Sequence, residues 1–378
     1  MGSETKQRLG IKNNISVVMK VTDLCNLDCK YCYADAGDGN RRMNSETLEN
    51  SIRKLAYLNG KFSEDNSESY FIWHGGEPLI LGKGFFEEIV GIQKDLENEG
   101  YKFRNGVQTN GTLVTEDLAD FFKDYGFSVG LSLDGPKCIN DKTRPYRDGS
   151  SSYDDVLRAS QILRSRGILT GAIAVINRNN IHDLDKVYEH FKEIGLAVKI
   201  NPLLNCGRAS RNLLELEVSP EECLEAEKKL YEVWERDESP VPLDFFQKVM
   251  INMLSGGKVS ECYMNSCQKS FMAISSTGDV YPCGHFVGED QFCYGNINNS
   301  DLSEILAHPI RMELLKRSEN ISECKGCNYG EFCHGGCPFN AFNLGGDIMK
   351  RDPNCGFYKG LFDYFSDKIN SYREVKNG

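Results

Sequence analysis

Apolar and polar positions follow two alternating rhythms over the first two-thirds of the chain. Short apolar runs at 15–21 (ISVVMKV), 70–74 (YFIWH), 103–109, 127–133, 169–176 and 197–203 read as strands. Between them, 46–58, 85–98, 116–125, 153–167 and 184–194 read as helices. The first of these carries Leu48, Ile52 and Leu55 at helical spacing, and Ser45 is placed to cap it. Six strands separated by helices predict a parallel sheet wound by right-handed crossovers. A barrel or partial barrel is one solution, and an open doubly wound sheet is the other. Polar segments fall at the strand C-termini, where barrels place their active sites.

The rhythm breaks after residue 205. Residues 206–258 read as a helical bridge whose best helix, 220–236, is opened by Ser219. From 259 to 360 cysteines become dense, glycines frequent and regular runs short, which predicts a second module. Residues 361–378 end the chain, and 361–377 reads as a terminal helix. The expected division is therefore 15–205, 206–258, 259–360 and 361–378.

Composition narrows the class. The 378 residues are 40% hydrophobic and 26% charged, enough for a sizeable core. No apolar run approaches the roughly 20 residues of a membrane helix, and residues 1–14 lack an apolar signal core. A cytoplasmic protein with no membrane partner is expected. The net charge of −11 argues against nucleic acid as a partner. Fifteen cysteines in so long a chain suggest metal or cluster ligation better than a disulfide framework.

Cys25, Cys29 and Cys32 lie within eight residues, just after the first strand. Three thiolates can each take one iron of a cubane and leave the fourth iron open. A zinc site, usually built from paired C-x2-C units, fits this spacing poorly. The C-x3-C-x2-C pattern, with the aromatic Tyr31 before its last cysteine, resembles the radical S-adenosylmethionine (SAM) superfamily over residues 15–205. Further segments share the resemblance. Gly75-Gly76-Glu77-Pro78 matches the family's GGEP, which receives the SAM amino group. Gln108-Thr109-Asn110-Gly111 resembles QTNG, which faces the ribose. Ser132-Leu133-Asp134-Gly135 resembles SLDG near the SAM carboxylate, and Arg144 matches an arginine that pairs with that carboxylate. Arg147 is a nearby competitor. The resemblance implies a [4Fe–4S] cluster that reduces SAM, and a 5′-deoxyadenosyl radical that takes a hydrogen atom from a substrate.

The later cysteines read Cys262-x4-Cys267-x10-Gly278-x4-Cys283, then Cys324-x2-Cys327-x5-Cys333-x3-Cys337, then Cys355. Eight thiols suffice for two fully ligated [4Fe–4S] clusters. The set resembles the SPASM extension of radical SAM enzymes. By that resemblance Cys267, Cys283 and Cys337, with Cys262, hold a first auxiliary cluster. Cys324, Cys327, Cys333 and Cys355 hold a second, giving three clusters in all. The implied fold is a partial (β/α)6 TIM barrel followed by a small irregular iron–sulfur domain. Cys138, Cys206, Cys223 and Cys293 remain, and are expected to be buried free thiols.

SPASM enzymes mostly modify peptides or proteins, so a peptide or protein substrate and a reductase or flavodoxin/ferredoxin-type electron donor are expected. Cysteine layout resembles the anaerobic sulfatase maturases, which make formylglycine from cysteine or serine. Those enzymes usually carry an aspartate base after the cysteine of G-x4-C. Here Gly284 stands there, followed by His285, a candidate base or a structural neighbour of the cluster. The missing carboxylate favours peptide crosslinking, by a thioether or carbon–carbon bond in a ribosomally synthesised peptide. Sulfatase maturation is the alternative. Residues 1–14 are too few for a leader-binding domain, so substrate recognition is expected from the barrel mouth, the bridge or a separate leader-recognition protein.

Overall fold

A computed structural model describes residues 9, 15–61, 68–255 and 266–377. Cys262 lies outside the described residues.

The predicted strands form, each within a residue or two of expectation: β1 (Ser16–Lys20), β4 (Glu68–His74), β5 (Lys102–Thr109), β6 (Ser128–Ser132), β7 (Thr170–Ile176) and β8 (Ala197–Pro202). They pair in parallel in the order β1-β4-β5-β6-β7-β8. The crossovers carry α1 (Ser45–Lys61), α2 (Lys83–Glu97), α3 (Glu116–Asp124), α4 (Lys137–Thr143), α5 (Tyr153–Ser165) and α6 (Leu184–Ile194). This is the partial (β/α)6 barrel, not an open doubly wound sheet. Val17, Met19, Phe71, Trp73, Val129 and Leu131 are buried between sheet and helices. These are alternate positions of each strand; the positions between them are half-buried.

One sheet serves both halves of the chain. β9 (Phe271–Ile274) lies parallel to β1 on the edge opposite β4. β10 (Asp279–Tyr281) and β11 (Gly295–Asn296) continue antiparallel beyond it. The sheet stays open, with β8 at one end and β11 at the other.

A ribbon of β2 (Thr22–Leu24) and β3 (Asp38–Arg42) brackets the first cysteine loop. The hydrophobic pattern does not reveal β3, because DGNRR holds no apolar residue. The helix α1 begins at Ser45, but its cap is Asn44, whose Oδ1 accepts from the Thr47 amide at 2.8 Å. In the bridge, α7 (Pro220–Arg236) opens with a full capping box between Ser219 and Glu222. It is followed by α8 (Asp244–Ser255). The terminal helix α9 (Cys355–Asn377) begins earlier than expected and packs Phe357, Leu361 and Phe365 inward at four-residue spacing. Among the described residues no helix is long and apolar enough to cross a membrane.

Candidate active site

The loop with Cys25, Cys29 and Cys32 leaves β2 at the C-terminal end of the barrel. Its backbone is held from two sides. Asp28 and Lys30 donate to the carbonyls of Pro145 and Thr143, each at 2.9 Å, and the Cys32 carbonyl accepts from the Arg208 amide at 2.9 Å. The Arg208 guanidinium also bonds Asp28, Asp35 and the carbonyls of Cys29 and Ala36. Burial pushes the Cys29 thiol up to about 12, so it needs a metal bond to be a thiolate at neutral pH.

The strand-end motifs surround this loop. Gly75 and Gly76 run so close to β2 that an added Cβ would lie 2.3 Å from the Thr22 carbonyl and 2.1 Å from that of Leu24. The glycines are thus needed against the chain leading into the cysteine loop. Glu77 is fully buried, and its carboxylate accepts from the Leu79 and Asn110 amides and the Thr109 hydroxyl at 2.7–2.9 Å. It fastens the GGEP turn, where Pro78 starts a short 3-10 helix, to the end of β5. Asn110 extends its Nδ2 to Asn26 and to the Cys25 sulfur at 3.9 Å. Gln108 donates to the Ser132 hydroxyl at 3.2 Å, linking the ends of β5 and β6.

Asp134 is the centre of a buried network. Its carboxylate accepts from the Tyr31 hydroxyl at 2.6 and 2.7 Å, the Thr143 hydroxyl at 2.7 Å and the Val175 amide at 3.0 Å. Arg144 donates from Nη1 to the Tyr31 oxygen at 2.8 Å. Arg144 is itself buried, and its Nε has no partner. An unpaired buried guanidinium N–H beside three grouped thiols fits a ligand carboxylate at a cluster. Arg147 is exposed and bonds the Cys25 carbonyl instead.

A second polar group lies between the cysteine loop and the later module. Lys20 donates to the Tyr33 hydroxyl at 2.8 Å, and His74 Nε2 lies 3.4 Å from the same oxygen. The His285 ring meets the Tyr33 ring edge-on at 4.7 Å and stands 5.3 Å from Phe339. Burial pushes His285 down to about 4, with Lys20 adding to the effect, so the ring is neutral at neutral pH. Burial also pushes Lys20 down to about 8, against the pull of Cys32 and Cys283. The sequence drew attention to His285 alone. A lone lysine ending an apolar strand was the signal for Lys20.

In the module, buried arginines tie separate segments together. Arg317 donates to the carbonyls of Ile348, Lys350, Gly335 and Gly336 at 2.6–3.1 Å. Arg311 binds the carbonyls of Leu9, Leu306 and Gln268 at 2.7–2.9 Å. Asp352 takes the amides of Cys337 and Asn354, each at 2.8 Å. Arg317 lies within electrostatic reach of Cys337, Cys267 and Cys324. Cys324 is likewise close to Cys355 and Cys327, and Cys333 to Cys355 and Cys324. Cys267 and Cys283 both act on Tyr294. No two of the described cysteines are joined in a disulfide. Of the four outside the motifs, only Cys223 is buried; Cys206 and Cys293 are half-buried, and Cys138 is exposed on α4, contrary to expectation.

Comparison with known proteins agrees with this arrangement. The radical SAM superfamily model matches residues 19–191, and the iron–sulfur cluster-binding domain SPASM matches 262–328. A cysteine-type anaerobic sulfatase-maturating enzyme of Clostridium perfringens is 29% identical over 93% of this chain and 96% of its own. A serine-type enzyme of Bacteroides thetaiotaomicron is 29% identical over 92% and 88%. The solved structure of native anSMEcpe with bound AdoMet superposes with a TM-score of 0.82 at 28% identity, covering 96% of this chain and 100% of that one. The same protein has been solved with AdoMet and a Cp18Cys peptide.

Proposed function

Since the chain belongs to the radical SAM superfamily and carries the SPASM iron–sulfur domain, we propose that it is a maturase acting on a side chain of a bound peptide or protein segment. The reading rests above all on the orphaned Arg144 Nε, held by Tyr31 and Asp134 beside the three cysteines. Cys25, Cys29 and Cys32 hold the radical cluster. The Arg144 Nε donates to the SAM carboxylate, and Asp134 fixes Tyr31 so that the guanidinium stays aimed. Gln108 and Ser132 line the neighbouring strand ends, and Asn110 holds the loop at Cys25. When bound, the cluster and SAM supply an electron-driven C–S cleavage and the radical that abstracts hydrogen.

In the module, Cys267, Cys283 and Cys337, with Cys262, hold the first auxiliary cluster. Cys324, Cys327, Cys333 and Cys355 hold the second. The substrate enters at the barrel mouth. A reductase or a flavodoxin- or ferredoxin-type donor supplies electrons.

The product is formylglycine from a cysteine or serine, a reading supported by whole-length relatives named cysteine-type and serine-type anaerobic sulfatase-maturating enzymes. Gly284 favours a second reading, crosslinking of a ribosomally made peptide, because no carboxylate follows Cys283. His285, neutral and half-buried, is the proton acceptor that remains there.

Incubation of reconstituted enzyme with SAM, dithionite and a cysteine-containing sulfatase peptide tests the proposal. The expected outcome is 5′-deoxyadenosine together with an aldehyde captured by a hydrazide probe. SAM cleavage without aldehyde, while a neighbouring short precursor peptide loses two hydrogens, would move the assignment to crosslinking. No SAM cleavage at all sinks both.

A further inference from the structure

Lys20 ends β1, the strand that the barrel and the module share, with β4 paired on one side and β9 on the other. Lys20 is 7% exposed, and its ammonium donates to the Tyr33 hydroxyl. Among the described residues no carboxylate is within ion-pair distance of it. A buried cation without counter-charge is costly, so compensation is expected close by. The charges that reach it are those of Cys32 and Cys283, one from each cysteine set. Tyr33 bridges them geometrically. It directly follows Cys32, and a Cβ added at Gly284, next to Cys283, would lie 3.8 Å from its oxygen.

We propose that Lys20 is the shared counter-ion of the radical cluster and the first auxiliary cluster, raising the reduction potential of both. The inference rests on the cluster assignment above. Each reduction brings one electron from the external donor and makes a thiolate-ligated cluster more negative. A fixed cation therefore favours the reduced state, and its removal favours the oxidised one. Lys20 acts through the clusters and is a positioning residue for charge, not a group that touches the substrate. It also ties the two potentials together, so that the radical cluster and the first auxiliary cluster respond to a single side chain.

Potentiometric titration of the reconstituted full-length enzyme, followed by electron paramagnetic resonance, tests this in Lys20→Met, Lys20→Gln and Lys20→Arg. Both neutral variants are expected to lower the radical and first auxiliary potentials by about tenfold in the reduction equilibrium, ~59 mV for one electron. Lys20→Arg is expected to hold them, and the second auxiliary cluster to stay in place. Unmoved potentials, an equal shift in the second auxiliary cluster, or a shift in Lys20→Arg as large as in Lys20→Met overturns the proposal. If the neutral variants fail to assemble clusters, assembly in Lys20→Arg supports it and failure there overturns it. Iron analysis of Cys283→Ala tests the cluster assignment separately, because unchanged iron would sink that assignment whatever the potentials do.

Discussion

In the barrel, the loop of Cys25, Cys29 and Cys32 stands on strands held by apolar side chains. Val17, Met19, Phe71 and Trp73 are buried at 1% exposure or less. In the module, Cys337 opens a short helix, 338–345, among other short elements. There, buried Arg311, Arg317 and Asp352 hold backbone groups of separate segments. The barrel's backbone groups are satisfied by the ladder of the sheet. Outside β9–β11, carbonyls such as those of Gly335, Gly336, Ile348 and Lys350 have no such ladder and are satisfied by a charged side chain. The first arrangement tolerates shape-conserving substitution, whereas the second depends on single polar residues.

The contrast is most exposed at Arg317. Replacing it by methionine keeps volume but leaves four carbonyls in two segments, 335–336 and 348–350, without their donor. Hydrogen bonds to charged groups contribute about 1.5–3 kcal/mol each, and breaking such a buried set costs about 3–5 kcal/mol. Iron analysis and urea unfolding should show loss of auxiliary iron and an early transition, with the barrel transition kept. Retention of both auxiliary clusters would show that the module does not depend on this cation.

Asp134→Asn asks whether the barrel has such a weak point of its own. The amide keeps the shape but accepts more weakly from Tyr31, Thr143 and Val175. A loss of about 1–3 kcal/mol is expected, with the three clusters still formed and SAM binding weakened as Arg144 loses its brace. Unfolding in denaturant and SAM titration measure the two effects. An unchanged SAM affinity would separate Asp134 from the binding site.

The same contrast explains what the sequence made legible. The barrel strands were readable because burial imposes runs such as ISVVMKV and YFIWH. The cysteine spacings and strand-end motifs were readable because they recur as fixed patterns. Arg311 and Arg317 were not, since a buried arginine looks in sequence like a solvated one. Lys20 left a trace, as a lone lysine ending an apolar strand, but nothing in the sequence placed it between the two cysteine sets. The joining of β9 to β1 was also invisible, because strand pairing over some 250 residues leaves no local signal.

The smallest effect tests a single cap. Residue type and position made Ser45 the expected cap of α1, the helix that follows the first cysteine loop. Capping depends on which side chain reaches the first free amides, not on residue type alone. Asn44 Oδ1 is the atom 2.8 Å from the Thr47 amide, and the Asn44 carbonyl takes the Leu48 amide. Ser45 is already inside the helix. Asn44→Ala should therefore cost about 1 kcal/mol in urea unfolding, the usual value of a lost cap. Ser45→Ala should cost nothing or stabilise slightly, because alanine is the better helix former. Iron content should be unchanged in both, since apolar packing of Leu48, Ile52 and Leu55 still holds α1 to the sheet. The reverse order of the two effects would return the cap to Ser45. Loss of iron in Asn44→Ala would mean that the first cysteine loop, like the module, depends on a single polar contact.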